Sequence, residues 1–292
     1  MKVAIASGKG GTGKTMVTAS LCAVWESEVV AVDLDVEEPN LHLFLKPQIT
    51  GRRDALMEVP RVDKERCNYC RACAELCQYK AISVFNDIVM LFPEMCHGCG
   101  GCMAVCPNQA ITPDSRVLGE IEWGSAGAVG FLMGRLRIGE AMSPPLIRQV
   151  QADLMNSGLF PQDADVLMDA PPGVSCPAVS AVIDSDIIVL VTEPTPFGVF
   201  DLRLAHQAFH PLGKPMGVVV NRAGLGNDDV YRFCREAGLP IFAEIPYERT
   251  IAEAYAAGRI IALSSDPMKH LFAQLAARLR QADPTLREAR NA

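Results

Sequence analysis

Short apolar runs, each closed by glycine, proline or a polar residue, recur along the chain at residues 3–6, 29–33, 166–169, 187–192, 216–221 and 241–245. Uninterrupted runs of this length, bounded by turn residues, predict strands covered on both faces, as in a parallel sheet. Between and after them apolar positions return at helical spacing. That periodicity predicts helices over 15–25, 144–155, 176–184, 200–209, 227–237, 251–257 and 268–282. The alternation of strand and helix places the chain in the α/β class, with an open, mostly parallel sheet carrying helices on both faces. Ligands of such sheets sit at the carboxyl ends of the strands.

From about residue 60 to residue 113 the pattern changes to cysteines, turn residues and two short extended stretches at 81–84 and 88–91. Two further extended segments, 117–123 and 128–139, are joined through Gly124-Ser125-Ala126-Gly127 and read as a hairpin leading back to the main sheet. The chain is expected to divide into a first sheet segment (1–59), an insertion (60–113), a second sheet segment (114–283) and a polar tail (284–292).

Eight of the eleven cysteines lie in the insertion, in two copies of the spacing C-x2-C-x2-C-x3-C: Cys67, Cys70, Cys73, Cys77 and Cys96, Cys99, Cys102, Cys106. In ferredoxin-like domains each such run gives three thiolates to one [4Fe-4S] cluster and its fourth to the other. Cys67, Cys70, Cys73 and Cys106 are therefore assigned to one cluster, and Cys96, Cys99, Cys102 and Cys77 to the second. A zinc site would leave the third cysteine of each run surplus. A disulfide framework belongs to small secreted chains with signal peptides, and the opening residues carry no such signal.

Residues 8–15, Gly8-Lys9-Gly10-Gly11-Thr12-Gly13-Lys14-Thr15, match the phosphate-binding pattern G-x-x-x-x-G-K-[ST] between a predicted strand and a predicted helix. The glycines turn successive backbone N–H groups toward phosphates, and the helix start adds partial positive charge. Lys14 is expected at the β- and γ-phosphates and Thr15 on Mg²⁺. Asp169, ending a strand before Ala170-Pro171-Pro172-Gly173, is read as holding a magnesium-bound water, or else as a structural cap, and Gly173 as able to swing toward a γ-phosphate. Asp33 and Asp35 flank Leu34, so both carboxylates fall on one side. Asp33 is read as supporting the metal shell and Asp35 as orienting the attacking water; a plain acidic loop rim is the other reading of Asp35.

With Lys9 two residues into the loop, the segment resembles the deviant Walker A ATPases of the MinD/ParA class, which also include the nitrogenase iron protein and the Mrp-type cluster carriers. The resemblance runs over nearly the whole chain. It implies that Lys9 reaches across a nucleotide-bridged homodimer to the partner's phosphates, that Asn221 reads the adenine edge, and that Pro246 and Tyr247 pack beside the base. The cysteine insertion, with the phrases EPTPFG, GEAMSPP and DAPPG, resembles the MinD-type ATPases that carry a ferredoxin domain. Gln78 stands after Cys77 where proline commonly follows the last cysteine of a run, whereas Cys106 keeps its Pro107. The spacing from Asp169 to Cys176 is similar to that before a cluster ligand of the nitrogenase iron protein, but no second ligand position is recognisable. Cys22 and Cys234 fall in helical apolar patterns and are read as core, and His42, His97 and His270 as bystanders.

Net charge is -7, with 34 acidic and 27 basic residues and no basic track, so there is no strong nucleic-acid signal. No apolar stretch approaches the ~20 residues of a membrane helix. The stripe Met268, Leu271, Phe272, Leu275 and Leu279 reads as core, and the protein is expected in the cytoplasm. The reading these features favour is a Mg-ATP switch coupled to electron transfer by two [4Fe-4S] clusters, with a redox or partner protein docking at the ferredoxin-like domain. A cluster carrier and a positioning ATPase with structural or sensing clusters are the alternatives.

Overall fold

A computed structural model describes residues 1–156 and 158–282. The tail expected over 284–292 lies outside the described residues. The elements run β1 (Lys2–Ala6), α1 (Lys14–Val24), β2 (Val29–Asp33), α2 (Leu41–Leu45), β3 (Gln48–Val62), α3 (Ala72–Leu76), β4 (Ile82–Phe85) and β5 (Ile88–Leu91). They continue with α4 (Gly101–Ala104), β6 (Ile111–Ala126), β7 (Val129–Leu136), α5 (Ser143–Asn156), β8 (Asp165–Asp169), α6 (Cys176–Val182) and β9 (Ile187–Thr192). The chain closes with α7 (Pro196–Phe209), β10 (Met216–Ala223), α8 (Asp229–Glu236), β11 (Ile241–Pro246), α9 (Arg249–Ala256) and α10 (Asp266–Ala282).

The described residues form two compact units, one of 1–52, 121–135 and 147–282, the other of 53–120 and 136–146. The first is built on the sheet order β11-β10-β9-β1-β8-β2-β7-β6-β3. From β11 to β7 every neighbouring pair is parallel, as the uninterrupted apolar runs predict. All five residues of β2 and all six of β9 are buried. Alternate residues feed two faces. Val3 and Ile5 join α1 and α10 in one core through Met16, Val17, Phe272 and Leu275, while α6 packs against β1 and α7 against β9. In the stripe of α10, Met268, Phe272, Leu275 and Leu279 are buried, and Leu271 packs partly buried against the same core.

Three departures from the sequence reading have physical causes. Helix α7 starts at Pro196 rather than residue 200, because the Thr195 hydroxyl accepts the Gly198 N–H at 3.1 Å and proline suits a first turn. The hairpin turns at Gly127, whose φ of 63° is left-handed, so Gly124, Ser125 and Ala126 extend β6. Strand β3 carries no uninterrupted apolar run. It alternates, burying Ala55, Met57 and Val59 while the residues between face out.

The second unit contains the hairpin β4–β5, with Phe85 opposite Ile88 and Ser83 opposite Met90, and the short helices α3 and α4. Its cysteine segments are two copies of one backbone path, each position 29 residues from its counterpart (96 − 67 = 29). Tyr69 and Arg71 are left-handed at φ 57° and 68°, and so are their counterparts Gly98 and Gly100 at 64° and 70°. A third left-handed pair, Lys80 and Gln109, follows the last cysteine of each run. Non-glycine residues rarely adopt this region, so the match marks one fold made twice. The copies also exchange bonds: the Asp63 N–H donates to the Ala110 carbonyl, and at the matching place the Phe92 N–H donates to Ala81, both at 2.8 Å.

Candidate functional site

The carboxyl ends of β1, β8, β2, β9 and β10 converge on residues 8–15. Helix α1 begins at Lys14, and Gly13 before it has φ 97°, where a Cβ would also meet the Asn221 amide. At Gly8 a side chain would collide with the Asp201 carbonyl of α7, so the strand leaves the sheet only with glycine there. Gly10 and Gly11 lie open to solvent. Thr12 is buried and its hydroxyl has no hydrogen-bond partner among the described residues, as suits a group that meets a bound phosphate.

Thr15 donates to Asp169 at 2.6 Å, and the Thr18 hydroxyl, which donates to the Lys14 carbonyl at 3.0 Å, lies 3.4 Å from the other Asp169 oxygen. The metal-directed pair of the sequence reading is thus in contact. Lys14 is buried beside them. Gly173, at φ 94°, is tied to β1 by its N–H donating to the Ser7 carbonyl at 2.9 Å. Asp33 is fully buried, and its two oxygens accept the N–H groups of Asp35 at 3.1 Å and Leu41 at 2.9 Å. In this state Asp33 fixes the loop that carries Asp35 and starts α2, so its hydrogen bonding is structural. Burial pushes the Asp33 carboxyl well above the ordinary range, with the Asp169 charge adding to it. Asp169 is raised by burial against the pull of Lys14. Asp35 is pushed up to about 6 by burial, opposed by Lys14 and helped by Asp169.

Beside the loop a cavity is lined by Gly11, Gly13, Met16, Asn221, Arg222, Pro246, Tyr247, Ile251 and Tyr255. Asn221, Pro246 and Tyr247, the residues expected beside a base, all line it. The Asn221 amide already donates to the Thr12 carbonyl at 2.8 Å, and its oxygen accepts the Arg222 N–H at 2.9 Å. One N–H and one lone pair remain for a ligand. Arg222 and Glu193 escaped the sequence reading. Arg222 lies near the end of β10 and Glu193 just past β9, at the same edge as the motif residues, and Glu193 opens the phrase EPTPFG noted in the sequence. Lys9 lies 3.9 Å from Glu193, whose other oxygen pairs with Arg222 at 2.9 Å.

The second unit gathers the cysteines into two cavities. One is lined by Cys67, Cys70, Cys73 and Cys106, the other by Cys77, Cys96, Cys99 and Cys102. Each draws three cysteines from one run and the fourth from the other. None of the eight is joined in a disulfide among the described residues. The Gly98 N–H donates to Cys96 Sγ at 3.4 Å and the Ala110 N–H to Cys106 Sγ at 3.2 Å. Burial raises the thiols of Cys73 and Cys102, which occupy the same place in the two copies. Among the described residues no group of three His, Cys, Asp or Glu side chains is close enough to hold a single metal ion. His97 stacks on Tyr79 with centroids 3.4 Å apart. Cys176 is exposed at the start of α6, and Cys22 and Cys234 are buried. No helix among the described residues is long and apolar enough to cross a membrane.

An uncharacterised protein of Methanocaldococcus jannaschii is 29% identical over 285 residues, covering 96% of this chain and 97% of its own. The septum site-determining protein MinD from Pyrococcus horikoshii, complexed with Mg-ADP, shares the fold at TM-score 0.60 and 20% identity, over 95% of each chain. The cell division ATPase MinD of Pyrococcus furiosus does so at TM-score 0.57 and 23% identity, over 96% of this chain and 98% of that one. Residues 3–261 match the CobQ/CobB/MinD/ParA nucleotide binding domain. With the phosphate loop, the Thr15–Asp169 pair and the cavity beside them at the carboxyl ends of the strands, the chain belongs to that family and is a P-loop ATPase.

Proposed function

We propose that this ATPase is a dimeric Mg-ATP switch in the cytoplasm whose second unit holds two [4Fe-4S] clusters and passes electrons through them. The observation that carries the reading is the pair of cavities, each lined by four free cysteines in the crossed pattern. A cubane spreads its thiolates around four irons, wider than the ligand set of a single ion. The cysteines fit such a group: their loops repeat the same left-handed turns, and backbone N–H groups point at Cys96 and Cys106. Bound there, the clusters would supply one-electron storage.

On the ATPase side Lys14 neutralises phosphate charge, Thr15 and Asp169 hold magnesium and its water, and Asp35 orients the attacking water. Asn221, Pro246 and Tyr247 hold the base, and Lys9 serves the partner's nucleotide in the homodimer. A redox protein docks at the cysteine unit. The likeness to MinD folds favours a second reading, a partner-positioning ATPase whose clusters stiffen or sense. A cluster carrier is the third. Anaerobic purification should give about eight irons and eight sulfides per chain, and Cys67→Ala about four. Absence of iron, or zinc in its place, would remove the clusters from all three readings. Transfer of iron to an apo-ferredoxin would favour the carrier.

A further inference from the structure

Glu193 is a carboxylate with only 8% of its side chain exposed, and it faces two cations at once. Arg222 sits at 2.9 Å from one oxygen, and Lys9 at 3.9 Å from the other. The backbone around Glu193 is fixed. Its carbonyl accepts the Thr195 N–H at 2.8 Å, leaving no room for a side chain at Gly198, and the Pro194 carbonyl accepts the Asn227 N–H at 3.3 Å. Lys9 has a fixed backbone too, because the Ser7 hydroxyl donates to its carbonyl at 2.6 Å. Its side chain is the movable part, a third exposed.

We infer that Glu193 is a positioning residue that holds Lys9 within its own subunit until a second copy arrives with nucleotide. The inference rests on the reading that Lys9 serves the partner's phosphates. A polyphosphate carries more negative charge than one carboxylate and so draws the ammonium away on dimer formation. Arg222 stays behind on Glu193. The buried carboxylate therefore remains paired when Lys9 leaves, which removes the penalty that makes most buried pairs hard to open. The long contact suits a hold that is weak by construction.

The test is the dimer dissociation constant, from analytical ultracentrifugation at saturating non-hydrolysable Mg-ATP analogue. Glu193→Gln keeps the size and an acceptor for Arg222 but frees Lys9, so the dimer should tighten about two- to fivefold, the range of partly exposed pairs. Should that variant fail to fold, Arg222→Gln gives the opposite sign: Glu193 then holds Lys9 alone, and the dimer should loosen. A carboxylate that merely supported the loop would weaken the dimer when neutralised, never tighten it. Weaker or unchanged association in Glu193→Gln, or a tighter dimer in Arg222→Gln, overturns the inference. Lys9→Ala separates the two ideas: loss of its dimer keeps the underlying reading whatever Glu193 does, whereas an intact dimer removes that reading itself.

Discussion

Three carboxylates crowd one ammonium at the phosphate loop, and the imbalance sets the chemistry of Asp35. With its carboxyl pushed to about 6 in the nucleotide-free chain, chiefly by burial, Asp35 is more basic than a solvated aspartate. The stability sign follows from linkage: a raised folded value favours the fold below the unfolded pKa of ~3.9 and loses that benefit as pH rises through about 6. Asp35→Asn should therefore stabilise the nucleotide-free protein at pH 8 by roughly 1–2 kcal/mol, with no gain at pH 4. Thermal melts across that range check it; an equal gain at both ends would mean that the charge is not the cause. Wild-type kcat/KM should fall below about pH 6 and kcat hold to lower pH, since bound magnesium depresses a nearby carboxyl. Thr15 and Asp169 were legible in the sequence because a motif and a strand end mark them. The pairing of Glu193 with Arg222 and Lys9 was not, since only the fold brings the ends of β9 and β10 beside the loop.

At the scale of elements the cysteine loops show what repetition demands of a backbone. Gly100 is half-buried, and a Cβ there would meet nothing nearer than Met103 Cε at 3.9 Å. Its φ of 70° is the constraint. Gly100→Ala should cost about 1–2 kcal/mol by conformation alone, whereas Arg71→Gly at the matching place should be neutral or stabilising, the relief of strain offset by lost chain stiffness. Denaturant titrations of the two variants test this, and equal destabilisation would show that the loops are not equivalent. The parallel strands were legible because both faces are covered and each run is apolar throughout. Strand β3 was not, since one buried face gives a weaker, alternating signal broken by Gly51 and Pro60. The helix start at Pro196 depended on a threonine cap whose role only geometry reveals.

For the whole molecule, β3 and β6 are covalently continuous from the ATPase unit into the cysteine unit, residues 48–52 and 121–126 lying in one and 53–62 and 111–120 in the other. A nucleotide-dependent strain along these strands should move the potential of the cysteine unit. Anaerobic potentiometric titrations with ADP and with a non-hydrolysable ATP analogue should differ by tens of millivolts. A shift of ~30 mV is ~0.7 kcal/mol for one electron, and reduction must change nucleotide affinity by the same energy. Identical potentials in both states would leave the two units energetically independent. The eightfold cysteine pattern stands out in the sequence, whereas the bounds 53–120 and 136–146 of the second unit carry no mark there, because β3 and β6 each hold residues of both units. The crossed cavities also impose an order of events on the nascent chain. The cysteines of the first start at Cys67, and the fourth of them, Cys106, is made 39 residues later (106 − 67 = 39). At typical synthesis rates that is about 2–8 s, during which three thiols wait in an unfinished pocket. A chain halted anywhere in that interval exposes cysteines with nothing to enclose them, so the ribosome's pace across these residues becomes part of how the protein matures.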